Sequence, residues 1–316
     1  MTSRLGLLAV LTVVGAGWGL TTPLSKIAVS EGYMPFGLIF WQLVIAGLLL
    51  SAFNAWRGRG LPRARGDLRF FLVIALTGTV IPNSASFAAA VHLPAGVIAI
   101  LISTVPMFAF PIAIGLRIDR FGLMRLGGLM AGLAGVVLMV APRASLPDPA
   151  MIAFVPLALV APFFYAVEGN IVSKWGTRGM DAIQVLSGAS LLGAMIALPL
   201  ALVTGQWISP LPPWGAPDAA LLASSIIHAV VYASYVWLVG QAGAVFAAQV
   251  AYLVTAFGVT WSMALLGESY SSYVWAAFGV LMAGMFLVQP RPAMRLAAVR
   301  ALREDGRDTG KGGGPV

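Results

Sequence analysis

The sequence contains no cysteine. That excludes disulfide pairing, thiol catalysis and thiolate metal sites. Charge is nearly as scarce: only 9% of the 316 residues are Asp, Glu, Lys or Arg. Soluble domains carry about 25%, and a soluble chain of this length could not cover its surface with so few. Histidine is confined to His92 and His228, too few for a His-rich metal centre. There is no phosphate-cradling P-loop lysine motif, so ATP is not the motor. Neither GxSxG nor HExxH appears, which removes the commonest hydrolase signatures. No cofactor and no metal are expected.

What is abundant is apolar sequence, 59% of the chain. It falls into ten runs: 5–27, 34–55, 68–90, 94–116, 121–141, 150–173, 182–204, 218–239, 243–266 and 270–289. A helix crossing the bilayer needs about 20 such residues. The runs are continuously apolar instead of alternating, which argues against barrel strands. The first run follows Arg4 without a cleavage site leading into a hydrophilic domain, so it reads as a membrane helix and not a leader. The expected fold is all-α, a polytopic membrane protein with ten spans.

The basic residues then set orientation. Arg4; Arg57, Arg59, Arg63, Arg65 and Arg69; Arg117, Arg120 and Arg125; Lys174 and Arg178; and the six in the tail make 17 of the 19 on one side. Only Lys26 and Arg143 fall on the other. The positive-inside rule then places both termini in the cytoplasm. The net charge of +8 is thus a topology signal, with anionic lipid as its contact and no nucleic acid implied. The outer loop 205–217 carries Trp207 and Trp214, expected at the membrane–water boundary.

The chain also repeats itself. LAGVVL at 133–138 matches MAGMFL at 282–287 with an offset of 149. The same offset sets Asp119 on Glu268 and Phe121 on Tyr270. It divides the chain into residues 1–145 and 146–290, five spans each, followed by a basic tail, 291–316. Five is odd, so the second half enters from the opposite side. This is an inverted repeat, an architecture of secondary transporters whose substrate sites lie near the midplane.

Trp18-Gly19 followed by Lys26, the stretch FAAAVHLPAGVIAILISTVPMFAF at 87–110, and GES at 267–269 before a last apolar span resemble the drug/metabolite transporter superfamily, in particular its EamA-type ten-helix exporters. The resemblance covers about residues 5–290. This chain has Gln42 where members usually carry an arginine, and Asp119 where they carry a glutamate. The resemblance implies efflux of small metabolites, most often amino acids, from a bacterial-type inner membrane without ATP.

A polar group inside a span is costly unless it faces protein or water, so each one is a candidate. Thr79, Asn83 and Ser86 share one helix face. Adding 149 gives 228, 232 and 235, and His228, Tyr232 and Tyr235 form a matching stripe with Ser225. Facing each other across the pseudo-twofold axis, the two stripes would line one cavity, or else glue helices together. Trp18 and Thr22 share a face of span one; Gln249 and Tyr252 share one of span nine, with Ser103 as the counterpart of Tyr252. Glu168 is the only carboxylate well inside a span, with Tyr165 beside it. It can bind a substrate amine, carry a proton, or snorkel toward Lys174. His228 is the second proton candidate, since histidine ordinarily titrates near neutral pH. Pro106 and Pro111 mark span four as a bent gate or a static kink. Gly128, Gly132 and Gly135 read as a packing seam. The expectation is a non-enzymatic exporter of small molecules; a multidrug or nucleotide-sugar carrier and an intramembrane enzyme are the alternatives.

Overall fold

The computed structural model describes residues 4–142 and 145–288. Ten helices follow in order: α1 (Arg4–Ser30), α2 (Pro35–Trp56), α3 (Arg65–His92), α4 (Ala95–Gly115), α5 (Leu123–Val140), α6 (Pro149–Trp175), α7 (Ala182–Val203), α8 (Ala216–Ala242), α9 (Val250–Leu266) and α10 (Ser272–Val288). All ten expected spans are present, their ends shifted by a few residues. The first eight are long and apolar enough to cross a bilayer; α9 and α10 are shorter. A turn of helix, Ala244–Ala247, leads into α9. No strand occurs among the described residues. Arg143 and the basic tail lie outside them.

Local chemistry sets several of these boundaries. Pro35 opens α2, where its missing N–H costs nothing. Asp181 caps α7 by accepting from the Gln184 N–H, and the Gln184 side chain accepts in return from the Asp181 N–H. Gly267 ends α9 in the left-handed region, at φ 65°. Large apolar side chains such as Val13, Leu48, Met195 and Val203 stay exposed on the outside of the bundle. In water that would be a liability; against lipid it is the surface the chain requires.

The packing partners exchange between the halves. α1 packs on α8 and α9, while its counterpart α6 packs on α3 and α4. α2 packs on α8, and its counterpart α7 packs on α3. α2 also packs on α7, and α5 on α10, each on its own counterpart. This is the pattern of two inverted five-helix repeats related by a pseudo-twofold axis.

Glycine permits the closest of these contacts. A Cβ on Gly128 would lie 2.7 Å from the Gly284 carbonyl oxygen, and one on Gly284 would lie 2.8 Å from that of Gly128. Backbone touches backbone across the α5–α10 seam, as the small-residue spacing implied.

Two helices are broken. In α3 a π turn spans Leu76–Val80, with the Ile81 N–H reaching back to the Leu76 carbonyl. Pro82 follows, which donates no N–H to the turn before it. In α4 the helix stops at Ser103–Thr104. Ser103 Oγ donates to the Ile100 carbonyl and Thr104 Oγ1 to the Leu101 carbonyl, both at 2.6 Å. Pro106 opens the second segment of α4, whereas Pro111 sits inside that segment and is exposed.

Candidate substrate site between the two halves

The exchanged contacts bring two polar groups to the interior. In the first, Trp18 of α1 donates its indole N–H to His228 Nδ1 of α8 at 3.3 Å. An accepting Nδ1 makes the imidazole neutral, with its proton on Nε2. The indole ring lies 6.3 Å from Tyr232, edge-on, and 5.3 Å from Tyr235, tilted. Residues spaced by four and then three along α8 thus build one aromatic wall on Trp18.

In the second group, Tyr165 of α6 donates its hydroxyl to Asn83 Oδ1 at 2.9 Å. The Asn83 amide donates to Gln42 Oε1 at 3.0 Å. A hydrogen-bonded chain therefore ties α6 to α3 and α2. Glu168 stands three residues beyond Tyr165, on the same face of α6. Its carboxylate lies against Gly78 in the π turn of α3: a Cβ there would be 2.6 Å from both carboxylate oxygens. Lys174 does not neutralise it; its ammonium lies over the Trp175 ring, 5.2 Å from the centroid. Glu168 makes no ion pair or hydrogen bond among the described residues. It lies within electrostatic reach of Tyr165 and of Tyr232 on α8.

The two groups are versions of one contact. The repeat offset carries Trp18 onto Val167, beside Glu168, and His228 onto Thr79, beside Gly78. Where one contact between the halves sets an indole against an imidazole, its counterpart sets a carboxylate against a bare backbone turn.

Of the residues expected from sequence, Trp18, Asn83, Tyr165, Glu168, His228 and Tyr232 come together here. Thr22 and Ser86 are partly buried on α1 and α3. Ser103 is buried at the α4 break, with its hydroxyl spent on its own helix. Tyr252 packs into the main apolar cluster with its hydroxyl unpaired, and Gln249 is exposed at the cap of α9. Gln42 and Gly78 enter the site without having been named for it, and Tyr235 joins it from the expected stripe. Gln42 stood out as a departure from the family pattern. Gly78 carried no signal, because its value lies in the space it leaves for Glu168.

Each face of the bundle is fastened differently. At the face opposite the termini, Glu268 accepts from the Ala95 and Gly96 N–H groups at 2.7 and 3.1 Å. These are the first N–H groups of α4, where a carboxylate is stabilised by the helix dipole. The Tyr270 hydroxyl donates to the same carboxylate. Lys26 donates to the Ala90 and Val91 carbonyls at 2.6 and 3.3 Å, closing the end of α3 beside it. Residue 96 must be glycine, since a Cβ would lie 2.0 Å from the Tyr270 hydroxyl oxygen. Nearby, Tyr33 donates to Asp218 at 2.6 Å; burial and that bond push its hydroxyl up to about 12.

At the terminal face the links are side chain to side chain. Asp119, the counterpart of Glu268, pairs with Arg125. Asp67 pairs with Arg178 at 2.8 Å, and Asp181 with both Arg57 and Arg59. Burial pushes the Asp181 carboxyl up, but the Gln184 N–H and the two guanidiniums outweigh it and hold the group below its usual value.

Comparison with known proteins fixes what kind of molecule carries this site. The profile of the EamA-like transporter family matches residues 4–141 and again residues 153–289. The chain belongs to the EamA-like transporter family. It is 25% identical over 275 residues to the "Uncharacterized inner membrane transporter YedA" of Escherichia coli (strain K12), covering 86% of each chain. It is 28% identical over 291 residues to an "Uncharacterized transporter" of Archaeoglobus fulgidus, covering 91% of this chain and 98% of that one. A solved crystal structure at 18% identity shares the fold, with a TM-score of 0.59 over 91% of this chain and 98% of its own. This EamA-like protein is a multi-pass membrane transporter.

Proposed function

We propose that this EamA-like transporter exports small amphipathic metabolites bearing an amino group, amino acids foremost, across a bacterial-type inner membrane. The two five-helix halves would rock about the central site in alternating access. The observation that carries the reading is the pair of polar groups between the inverted halves, Trp18–His228–Tyr232 and Tyr165–Asn83–Glu168, with Glu168 within electrostatic reach of Tyr232. An aromatic wall and an unpaired carboxylate at that separation suit an amine with an apolar body. Both termini face the cytoplasm on the charge asymmetry, since 17 of 19 basic residues share their side. No catalytic role is assigned, because among the described residues Glu168 has no acidic partner and no nucleophile–base pair stands beside it.

Glu168 and His228 are the groups able to couple transport to protons. The test is tracer flux of labelled amino acids and amines into proteoliposomes, with and without an imposed pH gradient. Flux that ignores the gradient removes both groups as coupling residues. Trp18→Ala and Tyr232→Ala are expected to cut flux while leaving folded protein; wild-type flux in both would sink the site assignment. Multidrug transport is the second reading, favoured by the three aromatic rings on one wall. A nucleotide-sugar carrier needs basic groups in its cavity, and the one interior lysine, Lys26, is committed to carbonyls of α3.

A further inference from the structure

The central site is unequal in charge and in hydrogen-bonding sense, and this bears on what it accepts. Every other charged side chain on the ten helices lies within four residues of a helix end, whereas Glu168 stands seven residues from the end of α6. Glu168 therefore has the interior of the site to itself. At the terminal face Arg57, Arg59, Arg125 and Arg178 are paired with Asp181, Asp119 and Asp67; the other described arginines of that face stand at helix ends or in loops. Lys26 is bound to the end of α3.

The donors around Glu168 are committed as well. The Tyr165 hydroxyl is given to Asn83, the Asn83 amide to Gln42, and the Trp18 indole N–H to His228. The charged acceptor, by contrast, is unspent. The Glu168 carboxylate makes no hydrogen bond or ion pair among the described residues and lies against Gly78 in the π turn. An unpaired interior carboxylate is a site for an ammonium, which brings three donors and no acceptor. The faces of Trp18, Tyr232 and Tyr235 add the quadrupole attraction that aromatic rings hold for cations, and they cover an apolar body. The donors that remain, His228 Nε2, the Tyr232 hydroxyl and the spare amide N–H groups of Asn83 and Gln42, are all neutral and suit a substrate hydroxyl. They supply no positive charge to offset a second carboxylate brought out of water, which is costly when unpaired.

We infer that the substrate's polar end is a lone ammonium: the transporter selects aromatic or alkyl monoamines over the amino acids that differ from them by one carboxylate. The inference rests on the proposed transport role of this same site, keeps its requirement for an amino group, and puts monoamines ahead of the amino acids named first there.

The experiment uses the full chain in proteoliposomes with two matched pairs of labelled probes, tyramine against tyrosine and 2-phenylethylamine against phenylalanine. The amine of each pair is expected to move faster by about tenfold or more, the worth of one charge-assisted contact set against one unpaired charge. Glu168→Gln should abolish the amine's advantage, and Glu168→Asp should keep part of it. The wild-type ratio decides the matter even if a variant fails to fold. Equal flux of the two members of a pair, or faster flux of the amino acid, overturns the inference and leaves the transport reading standing. An amine preference that survives Glu168→Gln in folded protein overturns the assignment to Glu168. No flux of any probe through folded protein refutes the transport reading and the inference together.

Discussion

At the scale of single residues, the site turns on an atom that is missing. Gly78 leaves the space in which the Glu168 carboxylate lies. Gly78→Ala would place a methyl 2.6 Å from the carboxylate atoms, at the far end of a flexible side chain. The fold can yield by turning Glu168 away, so stability should fall by about 1 kcal/mol or less while the carboxylate leaves its place. The expected outcome is flux reduced to the level of Glu168→Gln, with a melting temperature in detergent close to that of the wild type. Wild-type flux in Gly78→Ala would show that the carboxylate's present position is irrelevant. Sequence spacing reached Trp18, Asn83, His228 and Tyr232, because side chains on one helix face recur at fixed intervals. It did not reach Gly78 or the role of Gln42. A glycine has no side chain to read, and Gln42 matters through partners on α3 and α6 that are distant in sequence.

At the scale of elements, hydrophobicity alone located all ten helices, because the bilayer dictates both length and composition. It could not show where α3 and α4 break. Those breaks depend on how Pro82, Ser103 and Pro106 redistribute a few hydrogen bonds. The glycines of α5 were legible as a seam, though their partner was not. The partner is α10, and the pair Gly127 and Gly128 offers a controlled test of it. A Cβ on Gly128 meets the Gly284 backbone, whereas one on Gly127 meets nothing within 4 Å. Gly128→Ala should therefore destabilise by about 1–3 kcal/mol. Gly127→Ala should be neutral or gain up to about 1 kcal/mol from helix propensity. Thermal unfolding of the two variants side by side measures the difference, and equal melting temperatures would contradict the seam.

At the scale of the whole molecule, the constant offset between the halves implied an inverted repeat, and the structure expresses it as an exchange of packing partners: α1 on α8 and α9, α6 on α3 and α4. The offset foretold the pairing of Asp119 with Glu268 as positions and missed how differently they are used. Glu268 holds the N-terminus of α4 and so closes the face opposite the termini. Glu268→Gln removes the charge from that cap. It should open the closed face more often and expose the interior there. The cysteine-free chain makes the measurement direct, with Thr22→Cys as the sole thiol and a membrane-impermeant reagent supplied at that face. Labelling is expected to rise severalfold with Glu268→Gln; an unchanged rate would mean that the cap does not govern access.

The same difference gives the molecule unequal responses to its surroundings. The carboxylate of Glu268 is held by backbone N–H groups in a partly buried position, whereas two ion pairs of the terminal face, Arg59–Asp181 and Arg178–Asp67, have half-exposed guanidiniums. Mobile ions screen exposed pairs beyond about 8–10 Å at ordinary ionic strength and weaken them at any distance, but they reach buried bonds poorly. Raising the salt concentration on both sides of the membrane thus loosens one door and spares the other. A protein built from two near-copies of one unit acquires a front and a back from a single change in how a matched acid is employed.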